Sequence, residues 1–74
     1  MQKYKLYGKK NCAGCDTVKQ MLESKGYGYE YVDVMTNMDA MRGLMEKGLR
    51  GVPQLFLNDE LVGSTAEAKA HFGY

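Results

Sequence analysis

Cys12 and Cys15, with only Ala13 and Gly14 between them, are the residues of this chain best suited to chemistry. A thiolate is the nucleophile in disulfide exchange, and two thiols at this spacing can cycle between a dithiol and a disulfide, moving two electrons. The pair lies where a short strand ending at Tyr7-Gly8 gives way to a long helical pattern. At a helix start the unpaired backbone N–H groups and the positive end of the dipole stabilise a thiolate, here at Cys12. Lys9 and Lys10 add positive charge just upstream, while Asp16 opposes it from the first turn. Cys15, Val18 and Leu22 share one helical face, so Cys15 is expected to point inward and Cys12 outward. Residues three apart at a helix start are close enough to bridge. The chemistry that follows is attack by Cys12 on a disulfide and resolution of the mixed disulfide by Cys15.

Plainer roles for these residue types bound that reading. A Cys pair can be half of a zinc site, but such a site wants four ligands, and the one remaining nitrogen ligand, His71, lies far along the chain. No metal is therefore expected within one chain. His71 reads as a surface residue near a helix end. Of the six Tyr, only Tyr7 lies close to the cysteine loop, and the six Met read as flexible core filler.

The 74 residues are enough for one small domain, read as 1–74, with a monomer as the expected state. A net charge of +1 argues against a nucleic-acid binder, which needs a basic excess. No apolar run approaches the ~20 residues of a membrane span, and the N-terminal residues lack a signal peptide's apolar segment. The expected compartment is the cytoplasm, where a close Cys pair is usually catalytic or metal-binding rather than structural.

The elements that must position the cysteines follow from periodicity. Residues 3–7 alternate as a strand, and Val18, Met21 and Leu22 mark a helix over 13–25, stopped by Gly26. Residues 29–34 are aromatic and β-branched, a second strand. Thr36 is expected to cap a second helix with a stripe of Met38, Met41, Leu44 and Met45, ending at Gly48. Residues 53–57 and 60–62 form a hairpin turned by Asn58-Asp59. Ser64 and Glu67 read as a capping box for a last helix over 66–72. The first two strands, joined by a crossover helix, should be parallel, and the hairpin makes the sheet mixed.

Three landmarks on this framework resemble the glutaredoxin family of the thioredoxin superfamily, over essentially the whole chain. Residues 9–15 resemble its Lys-x-x-Cys-x-x-Cys, Gly51-Val52-Pro53-Gln54 its Thr-Val-Pro-Gln, and Gly63-Ser64 its Gly-Gly pair. The resemblance implies an α/β thioredoxin-like fold, a four-stranded mixed sheet with three helices in the order βαβαββα. It implies a glutathione-dependent thiol–disulfide oxidoreductase acting on proteins or glutathione mixed disulfides, with Cys12 and Cys15 catalytic and no bound cofactor. Pro53 would be a cis proline facing the cysteines, leaving the N–H and C=O of Val52 to pair with a bound peptide or glutathione. The N–H groups of Ser64 and Thr65 would hold the γ-glutamyl carboxylate. Lys9 and Tyr7 would complete the substrate site, and Arg42 and Arg50 are candidates for the glycyl carboxylate.

Two departures bear on the electron donor. Ala13-Gly14 replaces the family's common Pro-Tyr, which predicts a more flexible loop. Ser64, Thr65 and Ala66 stand where the family usually carries acidic residues that engage the γ-glutamyl amine. The alternative is a glutaredoxin-like redoxin reduced by thioredoxin reductase and serving ribonucleotide reductase. A third reading, an iron–sulfur or metal-binding module bridged through Cys12, is disfavoured by Cys15.

Overall fold

The computed structural model describes residues 3–74. Its elements are β1 (Tyr4–Gly8), α1 (Ala13–Ser24), β2 (Tyr29–Asp33), α2 (Met38–Glu46), β3 (Gln54–Leu57), β4 (Glu60–Gly63) and α3 (Thr65–Phe72). The sheet order is β2-β1-β3-β4. β1 runs parallel to β2, as a crossover helix requires, and antiparallel to β3, which pairs antiparallel with β4. The thioredoxin-like architecture, its mixed sheet and the order βαβαββα are those the sequence implies.

Alternation along β1 buries Tyr4, Leu6 and Gly8 on one face of the sheet. There α1 and α3 close the main core of Tyr4, Leu6, Val18, Met21, Leu22, Leu55, Ala68 and Phe72. On the other face Val34, Leu44 and Phe56 form a smaller cluster with Tyr7, Met41 and Val52 packed against it. Each fully buried Leu or Val contributes about 1.5–3 kcal/mol, so the α1 face carries most of the stabilisation. That face is also the one that fixes the cysteine helix.

Most element ends fall within a residue of the expected ones. Pro53 immediately precedes β3 rather than opening it, and α3 begins at Thr65. Asn58 and Asp59 both take positive φ, 51° and 69°, the conformation a two-residue hairpin turn needs. Two expectations are corrected. Asn37, not Thr36, caps α2: its side chain accepts the Ala40 N–H at 3.1 Å, while the Thr36 hydroxyl donates to the Asp33 carbonyl in the preceding turn. Thr36 sits one residue too early to reach the helix amides. The methionines are mostly not core filler either. Met21 is buried, whereas Met35, Met38 and Met45 are 67%, 77% and 62% exposed. A nine-residue helix meets the sheet over too small a patch to bury a full stripe, and Leu44 alone goes under completely. Met1 lies outside the described residues.

At the start of α3 the expected capping interaction is present. The Ser64 N–H and hydroxyl both donate to Glu67 Oε1, at 2.9 and 3.0 Å. The hydroxyl first, and then the amide, hold the Glu67 carboxyl below its ordinary value of 4.5. A lowered folded-state value means that this stabilisation is complete above 4.5 and is lost as the pH falls through the lowered value. An NMR titration should therefore place the Glu67 midpoint below 4.5, and Glu67→Ala should flatten the acid limb of the stability profile. A midpoint at or above 4.5 would contradict the cap.

Candidate active site

The cysteine site begins where β1 ends. Gly8 closes the strand, residues 9–11 form a tight connection, and Asn11 takes positive φ, 57°. Asn tolerates this left-handed conformation better than most side chains do. The turn delivers Cys12 to the N-cap of α1 in an extended conformation, φ −118°. From there its sulfur accepts the Cys15 backbone N–H at 3.2 Å, so one of the helix's unpaired donors points at it. Cys12 and Cys15 are joined as a disulfide with their Cα atoms 5.3 Å apart.

The two sulfurs sit in different surroundings. Cys15 is completely buried, and Cys12 is half-buried at the rim. Gly8 makes room for the inner sulfur: a Cβ on it would lie 3.1 Å from Cys15 Sγ. Facing the pair across the sheet end is the cis Val52–Pro53 bond. The Val52 carbonyl oxygen lies 3.9 Å from Cys12 Sγ, and Pro53 is buried. Gly14 is wedged against this corner, where a Cβ would come within 2.8 Å of Thr65 Oγ1 and 3.1 Å of Pro53 Cδ. The missing side chain thus serves close approach, and Gly14 lies within α1 rather than in the expected loop.

Of the residues picked out by sequence, the structure gathers Cys12, Cys15, Val52, Pro53 and Thr65 at one corner. Ser64 lies at the same helix start, tied to Glu67. Lys9 is exposed and borders a cleft with Lys10, Asn11, Asp33, Met35 and Thr36. Tyr7 points to the opposite face of the sheet, packed edge-on against Phe56 at 5.4 Å. Arg42 is held on α2 beside Asp39, and Arg50 lines a groove with Met41, Met45 and Gly48. His71 pairs with the Tyr4 hydroxyl at 2.9 Å in the aromatic cluster under α3. Among the described residues no group of three or more His, Cys, Asp or Glu side chains is arranged to hold a metal ion. Sequence reasoning passed over Gly8, Asn11 and Tyr31. The first two had a readable signal, a Gly at the strand end and an Asn directly before an N-cap position.

The family model described as Glutaredoxin matches residues 5–62, which spans the cysteines and the Val52-Pro53 corner. The glutaredoxin-like protein NrdH of Salmonella typhimurium is 33% identical over 54 residues, covering 73% of this chain and 67% of that protein. In fold, the chain is similar to glutaredoxin 1 from Francisella tularensis, solved with cacodylate (TM-score 0.81, 24% identity, 96% of this chain and 92% of that one). It is similar to the same degree to the NrdH-redoxin of Escherichia coli (TM-score 0.81, 22% identity, 88% and 86%). With the family model matched across both landmarks and the redox-active Cys12–Cys15 pair at disulfide distance, this chain belongs to the glutaredoxin family of thiol–disulfide oxidoreductases.

Proposed function

We propose that this protein reduces disulfides of other proteins by a two-thiol exchange in which Cys12 attacks and Cys15 resolves. In the reduced protein the Cys12 thiolate attacks one sulfur of the substrate disulfide. A bond forms between Cys12 and that sulfur, and the other substrate sulfur leaves with the electron pair and takes a proton from solvent. Cys15 then loses its proton to solvent and attacks Cys12. The second substrate thiolate leaves, and the Cys12–Cys15 disulfide remains. The single observation that carries this reading is the unequal burial of the two sulfurs, with the half-exposed one alone receiving a helix N–H.

The corner opposite the cysteines supports the binding of an extended segment. Its backbone would pair with the N–H and C=O of Val52, against the flat face of Pro53. Lys9, exposed on the connection that leads to Cys12, adds positive charge three residues before the attacking sulfur, and Tyr7 acts from the far face by packing against Phe56 of β3.

For the donor of electrons, the geometry favours a reductase of the thioredoxin-reductase type. Glutathione would place its γ-glutamyl carboxylate on the amides at the start of α3. The Ser64 amide and hydroxyl are already engaged by the Glu67 carboxylate, which competes for the same donors. The relative NrdH, and the thioredoxin-like activity profile named for the Escherichia coli NrdH-redoxin, agree with this choice. On this reading a ribonucleotide reductase is a fitting protein substrate. Reduction by glutathione is the second reading, favoured by the Thr65 hydroxyl standing beside Gly14 and Pro53, at the edge of the cysteine site. A cycling Cys pair fits the reducing cytoplasm.

Coupled NADPH oxidation separates the donors. The reading predicts steady turnover of a protein disulfide with thioredoxin reductase and slow turnover with glutathione and glutathione reductase; the reverse order would overturn the donor assignment. In either system Cys12→Ser should abolish turnover, and Cys15→Ser should stall with substrate bound to Cys12, seen by mass spectrometry as a stable mixed disulfide. Glu67→Ala, which frees the Ser64 donors, should raise the glutathione-coupled rate several-fold. An unchanged rate would remove the competition argument.

A further inference from the structure

The bare backbone of Gly8 leaves a second group beside the cysteines. A Cβ on Gly8 would lie 2.7 Å from the Tyr31 hydroxyl oxygen, as well as 3.1 Å from Cys15 Sγ. Both atoms therefore lie within contact distance of one point over the end of β1. Tyr31 reaches this point because the parallel register sets it opposite Leu6, on the face of the sheet that α1 covers. The Lys19 ammonium, 4.6 Å above its ring, keeps the ring in place. Two other tyrosines have hydroxyl partners, Tyr29 donating to Glu23 and Tyr4 pairing with His71, both at 2.9 Å, whereas the hydroxyls of Tyr7, Tyr27 and Tyr74, among the described residues, have none. Among the described residues the Tyr31 hydroxyl has no such acceptor.

We propose that the Tyr31 hydroxyl donates a hydrogen bond to the Cys15 thiolate, stabilising the inner sulfur when the Cys12–Cys15 disulfide opens. This rests on the two-thiol reading above. When a donor thiolate attacks Cys12, the Cys12–Cys15 bond breaks and its electron pair goes to Cys15, which becomes a buried anion. Burial alone disfavours that anion strongly. A neutral O–H aimed at it offsets part of the cost, and Cys15 afterwards takes its proton from solvent. In the other direction the same bond favours loss of the Cys15 proton to solvent before Cys15 attacks the mixed disulfide. Tyr31 keeps its own proton throughout.

The surrounding charges enforce that role. Tyr31 is 36% exposed, and its partial desolvation, followed by the negative charges of Asp33 on β2 and Asp16 on α1, pushes it above its ordinary value of 10.0. The hydroxyl thus stays a donor across the working range. The same carboxylates would repel a thiolate at Cys15, and Tyr31 stands as a neutral donor among them. The Lys19 ammonium lies over the ring.

The test uses Tyr31→Phe, which keeps the ring and removes only the O–H. In a Cys12→Ser background, thiolate absorbance should show the Cys15 ionisation midpoint rising by about one unit, the scale of a lost hydrogen bond to a charged group. With both cysteines present, release of a model thiol from the Cys12 mixed disulfide should slow about threefold at pH 7. The thiolate fraction falls about tenfold, but the more basic thiolate is the better nucleophile. Above both Cys15 midpoints the deficit should invert, the variant's more basic and fully ionised thiolate reacting about threefold faster, a pH signature that a packing defect would not give. Attack by Cys12 on a fresh disulfide should be unchanged. An unmoved Cys15 midpoint, or a deficit equal at all pH, overturns the assignment while leaving the two-thiol reading intact. A Cys15→Ser protein that turned over like the parent would overturn both.

Discussion

The 3.2 Å contact between the Cys15 backbone N–H and the Cys12 sulfur is the interaction on which the rest of the structure depends. It exists only if α1 starts at one residue and no other, because a shift of one position would turn the sulfur away from the helix amides. The start is fixed from both sides. Upstream, the left-handed Asn11 ends the connection from β1. Downstream, Val18, Met21 and Leu22 are locked into the main core against Leu6 and Leu55. The core thus sets the rotation of the helix, and the helix sets which cysteine meets solvent.

The same requirement explains the two glycines that border the site. Gly8 admits the inner sulfur and the Tyr31 hydroxyl to the end of β1, and Gly14 lets the first turn of α1 lie directly on Pro53 and Thr65. A side chain at Gly14 would press against Thr65 and Pro53, and one at Gly8 would displace the Tyr31 ring and crowd the inner sulfur. The helix start of α3 faces a comparable choice about its unpaired amides. Here Glu67 satisfies the Ser64 amide internally, which strengthens the fold and leaves less for an anionic ligand.

Much of this was legible in the sequence. The Cys pair, the crossover helix, the Asn58-Asp59 hairpin and the Ser64–Glu67 cap are local signals, carried by a few residues whose conformational preferences agree with the fold. Features that depend on what lies opposite in space were not legible. A stripe of Met38, Met41 and Met45 reads as a buried face, yet how much of it is covered depends on the length of sheet beneath α2. A Gly beside a Cys reads as flexibility, and only the approach of Pro53 reveals it as a contact. Tyr31 reads as an ordinary strand tyrosine until the register of β1 with β2 sets its hydroxyl over Gly8.

The most direct measurement of the account is alkylation of the reduced protein across pH, with each cysteine followed separately by peptide mass. Cys12 should react first, with a midpoint below the ~8.5 of a free thiol, and Cys15 should stay protected wherever the fold is intact. Equal rates at the two sulfurs, or faster modification of Cys15, would contradict the division of labour between an outer attacking sulfur and an inner resolving one.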